Sequence, residues 1–130
     1  MNNIENALRK NGLSLKMPED EAEARDILRA RAKGTTDRTM DLSIKGRLGM
    51  VIDGTGRDYD KIANQKSLLQ QLGYDCYMIF VNTSLDVALE RNRTRSRSIP
   101  EYIVQKSWKG VQANMGAFQK VFGHSKMLIV

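Results

Sequence analysis

One cysteine and one histidine occur in 130 residues. A lone cysteine cannot close a disulfide within the chain. Together with one histidine it cannot supply the three or four ligands of a zinc centre, so disulfide scaffolds and zinc modules are excluded. No uninterrupted apolar run approaches the roughly 20 residues that span a bilayer, and the polar start MNNIENALRK has no apolar stretch of the signal-peptide kind. A cytoplasmic protein without a membrane partner is expected. Internal repeats and low-complexity tracts are missing as well, which removes solenoids and biased linkers. What remains is an ordinary globular composition, 41% hydrophobic and 28% charged, and a length that suits a single domain over residues 1–130.

The net charge of +6 is not evenly spread. Residues 1–90 hold thirteen Lys/Arg against fourteen Asp/Glu, whereas residues 91–130 hold eight basic residues and Glu101 alone. A local excess of this kind points to an anion met at one place, and phosphate is the obvious candidate.

Periodicity and punctuation predict the elements. Pro18, with Glu19, Asp20, Glu21 and Glu23 behind it, opens a helix that Arg29, Arg31 and Lys33 close before Gly34. Ile27 and Leu28 are too thin a stripe for burial, which puts this helix on the surface. Leu48–Asp53 is a short apolar run ending in a carboxylate and the Gly54-Thr55-Gly56 turn, the pattern of a strand buried on both faces. A helix over 59–72 follows, with Ile62, Leu68, Leu69 and Leu72 on one side and Gly73 at its C-terminal stop. Cys76–Val81 reads as a second strand, joined to the first by a parallel crossover. Ser84 caps a helix that runs into Arg91-Asn92-Arg93-Thr94-Arg95-Ser96-Arg97, and Pro100 restarts one. Val104, Trp108, Val111, Met115, Phe118 and Phe122 then recur at spacings of three and four, the strongest periodic signal in the chain. Residues 127–130 read as a third buried strand. The expected class is α/β, a parallel sheet of at least three strands with helices on both faces. In such sheets ligands bind beyond the carboxyl ends of the strands, where Asp53, Thr55, Asn82, Thr83 and the arginine cluster would gather.

Two features could carry chemistry. A carboxylate at the end of an apolar strand, as at Asp53, is the form of a Walker B segment that holds Mg²⁺ beside nucleotide phosphates; it equally suits a side chain capping its own turn. Arg91, Arg93, Arg95 and Arg97 alternate, so they cannot share one helix face, and a loop or frayed turn is expected there. Arginine forks bind phosphate bidentately and stay charged, which suits a lid over a triphosphate. The same run would also serve as a solvated basic loop or as a contact to a nucleic-acid backbone. Trp108, Phe118 and Phe122 have the spacing of core residues, not of a base-stacking platform.

The order VIDGTGRDYDKI, LGYDCYMIFVNTSLDVALERNRTRSR, SIPEYIVQKSW resembles P-loop kinases of the polynucleotide-kinase and zeta-toxin type, including small phage-encoded members. The resemblance covers roughly residues 45–130. It implies a P-loop NTPase-like parallel-sheet sandwich and transfer of a phosphoryl group from ATP, with Mg²⁺, to a hydroxyl on a nucleic-acid end, a nucleotide or a sugar-bearing molecule. By this likeness Asp53 would hold the metal, Thr55 and Arg93 the nucleotide, and Arg91, Arg95 and Arg97 the transferring phosphates, with residues 91–100 as an arginine lid. No G-x-x-x-x-G-K-S/T sequence occurs in the chain. The resemblance therefore implies a fold incomplete at its N-terminus, without its first strand and phosphate cradle, and inactive as it stands. Two strands left unpaired by that gap would invite self-association. The rival expectation is a non-catalytic module that binds nucleic acid or another anion through the basic last third.

Overall fold

The computed structural model describes residues 3–130, with side chains from residue 4 onward. Its order is α1 (Asn3–Lys10), a 3₁₀ turn (Glu19–Glu21), α2 (Ala22–Lys45), α3 (Tyr59–Gln71), β1 (Met78–Phe80), α4 (Leu85–Thr94), α5 (Glu101–Phe122) and β2 (Met127–Ile129). The chain forms two compact units. One gathers the described residues up to Asp53 together with Asn92–Ile99; the other comprises Gly54–Arg91 and Pro100–Val130.

In the first unit α1 packs on α2 and buries Leu8 completely. α1 ends in a left-handed Gly12, with Leu13 N–H donating to the Leu8 carbonyl at 2.9 Å, a closure that glycine adopts without steric cost. The helix expected to stop before Gly34 instead continues to Lys45. One internal glycine costs a helix only about 1 kcal/mol, and the ladder is undisturbed there. Beyond it the hydroxyls of Thr35, Thr36, Thr39 and Ser43 each donate back to the carbonyl four residues earlier, so they do not compete for the helical N–H groups. The stop comes where Arg47 turns left-handed and the Leu48 and Arg47 N–H groups return to Ser43 and Ile44. No residue of α2 is buried, as the thin apolar stripe predicts.

The strand expected at 48–53 is not formed. Val51 is fully exposed and Leu48 and Ile52 are about half exposed. An apolar run becomes a strand only when neighbours take up its N–H and C=O groups. In this chain β1 and β2 pair with each other instead, and the predicted crossover from 48–53 through α3 falls with the missing strand.

The second unit holds the sheet. β1 and β2 are parallel, in register Met78↔Met127, Ile79↔Leu128 and Phe80↔Ile129, and α4 and α5 lie between them in sequence. The predicted strands at 76–81 and 127–130 are thus present in part, cut to three residues each, and neither is buried throughout, contrary to expectation. Helices do not cover both faces. Phe80 is buried and its ring stands 6.5 Å from that of Phe118 on α5, whereas Ile79 and Leu128, on the other face, are exposed. The α/β fold seen here is accordingly helix-rich, with a two-stranded parallel sheet.

α3 is the predicted helix. Asp58 caps it by accepting from Lys61 N–H at 3.1 Å, and Gly73 ends it with a positive φ while Tyr74 N–H returns to Leu69. Leu69 is buried, but Leu68, expected beside it, is half exposed. On α5 every residue of the predicted apolar stripe is at least half-buried, and Phe118 is fully so. The Tyr59 ring packs 5.5 Å from Phe118, and Lys66 of α3 lies over the Phe122 ring. The core of this unit is therefore α3, α5 and the inner face of β1. Among the described residues no helix is long and apolar enough to cross a membrane.

Candidate anion site

Two polar constellations sit where the fold makes room for them, one in each unit. In the second unit, α5 fixes two loops. The Trp108 indole Nε1–H donates to the Thr83 carbonyl and Gln112 Nε2 to Asn82 Oδ1, both at 2.8 Å. These bonds hold the chain just beyond the carboxyl end of β1. Asn114 Nδ2 donates to the carbonyls of Gly56 and Arg57 at 3.1 and 2.8 Å, which holds the turn that carries Thr55. Gly56 has a φ of 73°, a left-handed conformation that favours glycine. Thr55 itself is exposed. Ser84 accepts from Val87 N–H at 3.3 Å and caps α4 as the sequence predicts.

In the first unit, the end of α4 and the loop after it form the other constellation. The expectation of a loop across 91–97 holds only for its second half, because α4 continues through Arg91 and Arg93 to Thr94. Arginine is a good helix former, and both residues are exposed. Arg95 is exposed on the loop; Arg97 is half-buried. Its Nε and Nη1 are shielded from solvent and have no hydrogen-bond partner. Burial pushes the Arg97 guanidinium below its ordinary pKa, repulsion from Arg95 and Arg29 adds to this, and the Glu5 carboxylate opposes it. Arginine stays charged under such shifts. The result is a half-buried cation whose Nε and Nη1 are shielded and unpartnered, close to other cations.

The residues proposed from sequence therefore divide. Asp53, Arg93, Arg95 and Arg97 belong to the first unit, Thr55 and Arg91 to the second. Arg95 and Arg97 are close enough to repel each other. Asp53 is an exposed carboxylate, and the described residues contain no group of three acidic, histidine or cysteine side chains that could cage a metal. This donor set suits Mg²⁺ only in the manner of an ion that keeps its waters and arrives with phosphate, bound through one carboxylate. Arg97 has two unpartnered donors, but both are shielded from solvent, so a phosphate oxygen would reach them only if the loop moved.

Sequence reasoning passed over Asn92. It is the one buried polar residue of the described chain, its Nδ2 donating to the Ile99 carbonyl at 2.8 Å and its Oδ1 accepting from Ile99 N–H at 3.0 Å. A short amide side chain amid arginines near a helix end was the available signal. Trp108 and Asn114 were likewise read only as core or not at all, and each turns out to hold a loop.

Residues 14–130 match the residue pattern of the family described as Zeta toxin. No curated protein and no solved structure matches the chain.

Proposed function

The chain belongs to the zeta toxin family, a P-loop kinase-like group, and from that premise we propose that it carries part of an ATP-dependent phosphotransferase. The acceptor would be a hydroxyl on a nucleic-acid end, a nucleotide or a sugar-bearing molecule. The γ-phosphoryl group would leave ADP and form its new bond to the acceptor oxygen. The match over residues 14–130 is the observation that carries this reading. Within it, the two parallel strands form part of a P-loop-type sandwich, residues 91–100 act as the arginine lid of one domain, and the reaction is cytoplasmic.

Phosphoryl transfer depends on positioning and on offsetting charge over the phosphate oxygens. Arg97 would meet that charge once movement of the loop uncovered its shielded, unpartnered donors, and Arg91, Arg93 and Arg95 would add to the positive field. Asp53 would hold Mg²⁺, which when bound neutralises part of the phosphate charge. Because these 130 residues contain no G-x-x-x-x-G-K-S/T cradle, ATP binding by them alone should be poor and turnover negligible.

The test is phosphoryl transfer from γ-labelled ATP with Mg²⁺ to 5′-hydroxyl oligonucleotides, nucleotides and sugars. The same assay is run on a chain extended at its N-terminus by a strand and P-loop sequence. Turnover only in the extended chain is the expected result, and Asp53→Asn should then weaken its dependence on Mg²⁺. Efficient turnover by the 130 residues would overturn the expected inactivity. The basic excess of residues 91–130 favours the second reading, a nucleic-acid or anion-binding module. Salt-sensitive binding to DNA or RNA, with no turnover in either chain, would put that reading first.

A further inference from the structure

Side chains along a strand alternate between the two faces of its sheet, so the burial of Phe80 beside the Phe118 ring fixes what the other face carries. Along β1 and its flanking residues that face holds Tyr77, Ile79 and Val81. By the register Ile79↔Leu128, β2 adds Leu128 and Val130 to it. All five are between 59% and 69% exposed, and no ionisable group other than the Tyr77 hydroxyl interrupts them. At one end the face closes with the Asp75–Lys126 pair, 2.9 Å apart, the Lys126 Nζ lying 5.5 Å from the centre of the Tyr77 ring. At the other end come the neutral Asn82, Thr83 and Ser84.

With a net charge of +6, two copies of the chain repel each other in solution. This face adds nothing to that repulsion, because its middle is apolar and its charged end is already paired. Apolar surface leaves water only against a partner that is apolar at the same place, and a second copy related by a twofold axis presents the identical patch. We propose that two copies of this chain pair by stacking these outer sheet faces, with Ile79 and Leu128 at the centre of the contact. Sheets packed in this way lie about 10 Å apart with interdigitated side chains. The five side chains leave about 300–500 Å² of apolar surface per copy, the size of the largest patch that a monomer ordinarily shows. Doubled and given a polar rim, the contact covers about 1,000 Å², the low end of specific interfaces. The dimer is accordingly reversible, of micromolar affinity or weaker, and independent of the phosphotransferase reading.

The test is sedimentation of the 130-residue chain from low micromolar concentration to about 1 mM, which should show monomer and dimer in concentration-dependent exchange. Ile79→Lys and Leu128→Lys should each raise the dissociation constant about tenfold or more, since the twofold axis sets the new charge against its own copy. Leu42→Lys puts the same charge at an exposed leucine of α2 and should leave the constant nearly unchanged. Should Ile79→Lys fail to fold, Ile79→Thr replaces it; threonine keeps the β-branched shape, loses apolar surface, and should also weaken the dimer. A chain that stays monomeric up to about 1 mM, or one that Leu42→Lys dissociates as strongly as the sheet variants do, would overturn the proposal.

A second readout locates the contact. In a mixture of isotope-labelled and unlabelled chains, intermolecular nuclear Overhauser effects should join the methyl groups of Ile79, Val81 and Leu128 and the Tyr77 ring. Effects confined to another surface, such as the exposed Leu48, Val51 and Ile52, would show a different dimer and overturn the stacked sheets. Added salt should tighten the pairing by screening the net charge. Dissociation by salt would indicate ionic bridging between the copies and would overturn the proposal as well.

Discussion

Replacing Phe118 by alanine should cost the second unit most of its stability. The side chain is completely buried, and it meets the Tyr59 ring at 5.5 Å and the Phe80 ring at 6.5 Å. It therefore joins the start of α3, the inner face of β1 and α5 at one point. Truncation of a buried phenylalanine costs about 3–5 kcal/mol, and loss of two ring pairs, each worth about 0.5–1.5 kcal/mol beyond area, places this site toward the upper half of that range. A domain of ordinary stability has about 5–15 kcal/mol in total. Urea unfolding can be followed through Trp108, the only tryptophan, which lies on the same helix. With a urea slope of about 2 kcal/mol/M, a loss of about 4 kcal/mol moves the midpoint down by about 2 M. Phe122→Ala is the internal comparison, because Phe122 sits on the same stripe but only half-buried, and it should move the midpoint much less. A Phe118→Ala midpoint within about 0.5 M of the parent's at unchanged slope, or a larger effect from Phe122, would show that the core does not centre on this ring.

Gly34→Ala should stabilise the first unit by about 0.5–1 kcal/mol, since an interior helical glycine costs that much relative to alanine and an added Cβ there meets nothing within 4 Å; a loss of helicity by circular dichroism would restore the helix end at Gly34. The Lys126–Asp75 pair, 2.9 Å apart, holds the Asp75 carboxyl below its usual range through its hydrogen bond and charge, and raises Lys126 in return. A depressed carboxyl pKa adds stability above the unfolded value of about 3.9 that is lost as pH falls through the folded one, and a raised ammonium pKa adds stability that is lost as pH rises past about 10.4. Both groups are solvent-accessible, so Asp75→Asn should flatten these two limbs of the stability profile only slightly, and salt should abolish the difference; a salt-resistant loss at neutral pH would contradict a surface pair.

Local signals were legible in the sequence because their causes lie within a few residues. Ser84 caps α4 three residues ahead, Gly73 closes α3 beside the bonds that it completes, and the stripe from Val104 to Phe122 describes one face of one helix. The failures occur where the outcome depends on something distant or on a small energy. Leu48–Ile52 has the composition of a buried strand, but composition records a preference for burial and does not supply a partner. Gly34 has the look of a helix stop, yet about 1 kcal/mol of propensity is easily offset over a 24-residue helix. The helices expected on both faces of the sheet required strands that could carry them, and with two strands in place Ile79 and Leu128 stay exposed.

The site divides in the same way. The positions of the side chains were readable in part: exposed arginines at the end of α4, an exposed carboxylate at Asp53 and a left-handed glycine in the turn after it. Their support was not, because each supporting bond crosses a distance that periodicity does not register. Asn114 reaches back 58 residues to Gly56, and Trp108 reaches 25 to Thr83. Asn92 reaches only seven, to Ile99, but it does so around a loop instead of along a helix. An alternating row of arginines gives no indication of which one will be enclosed. Arg91 and Arg93 remain helical and exposed, while Arg97 is drawn inward, with its Nε and Nη1 shielded and unpartnered. Which fork is enclosed depends on neighbours in space, the Asn92–Ile99 bonds around the loop among them, and a row of alternating arginines does not record those neighbours.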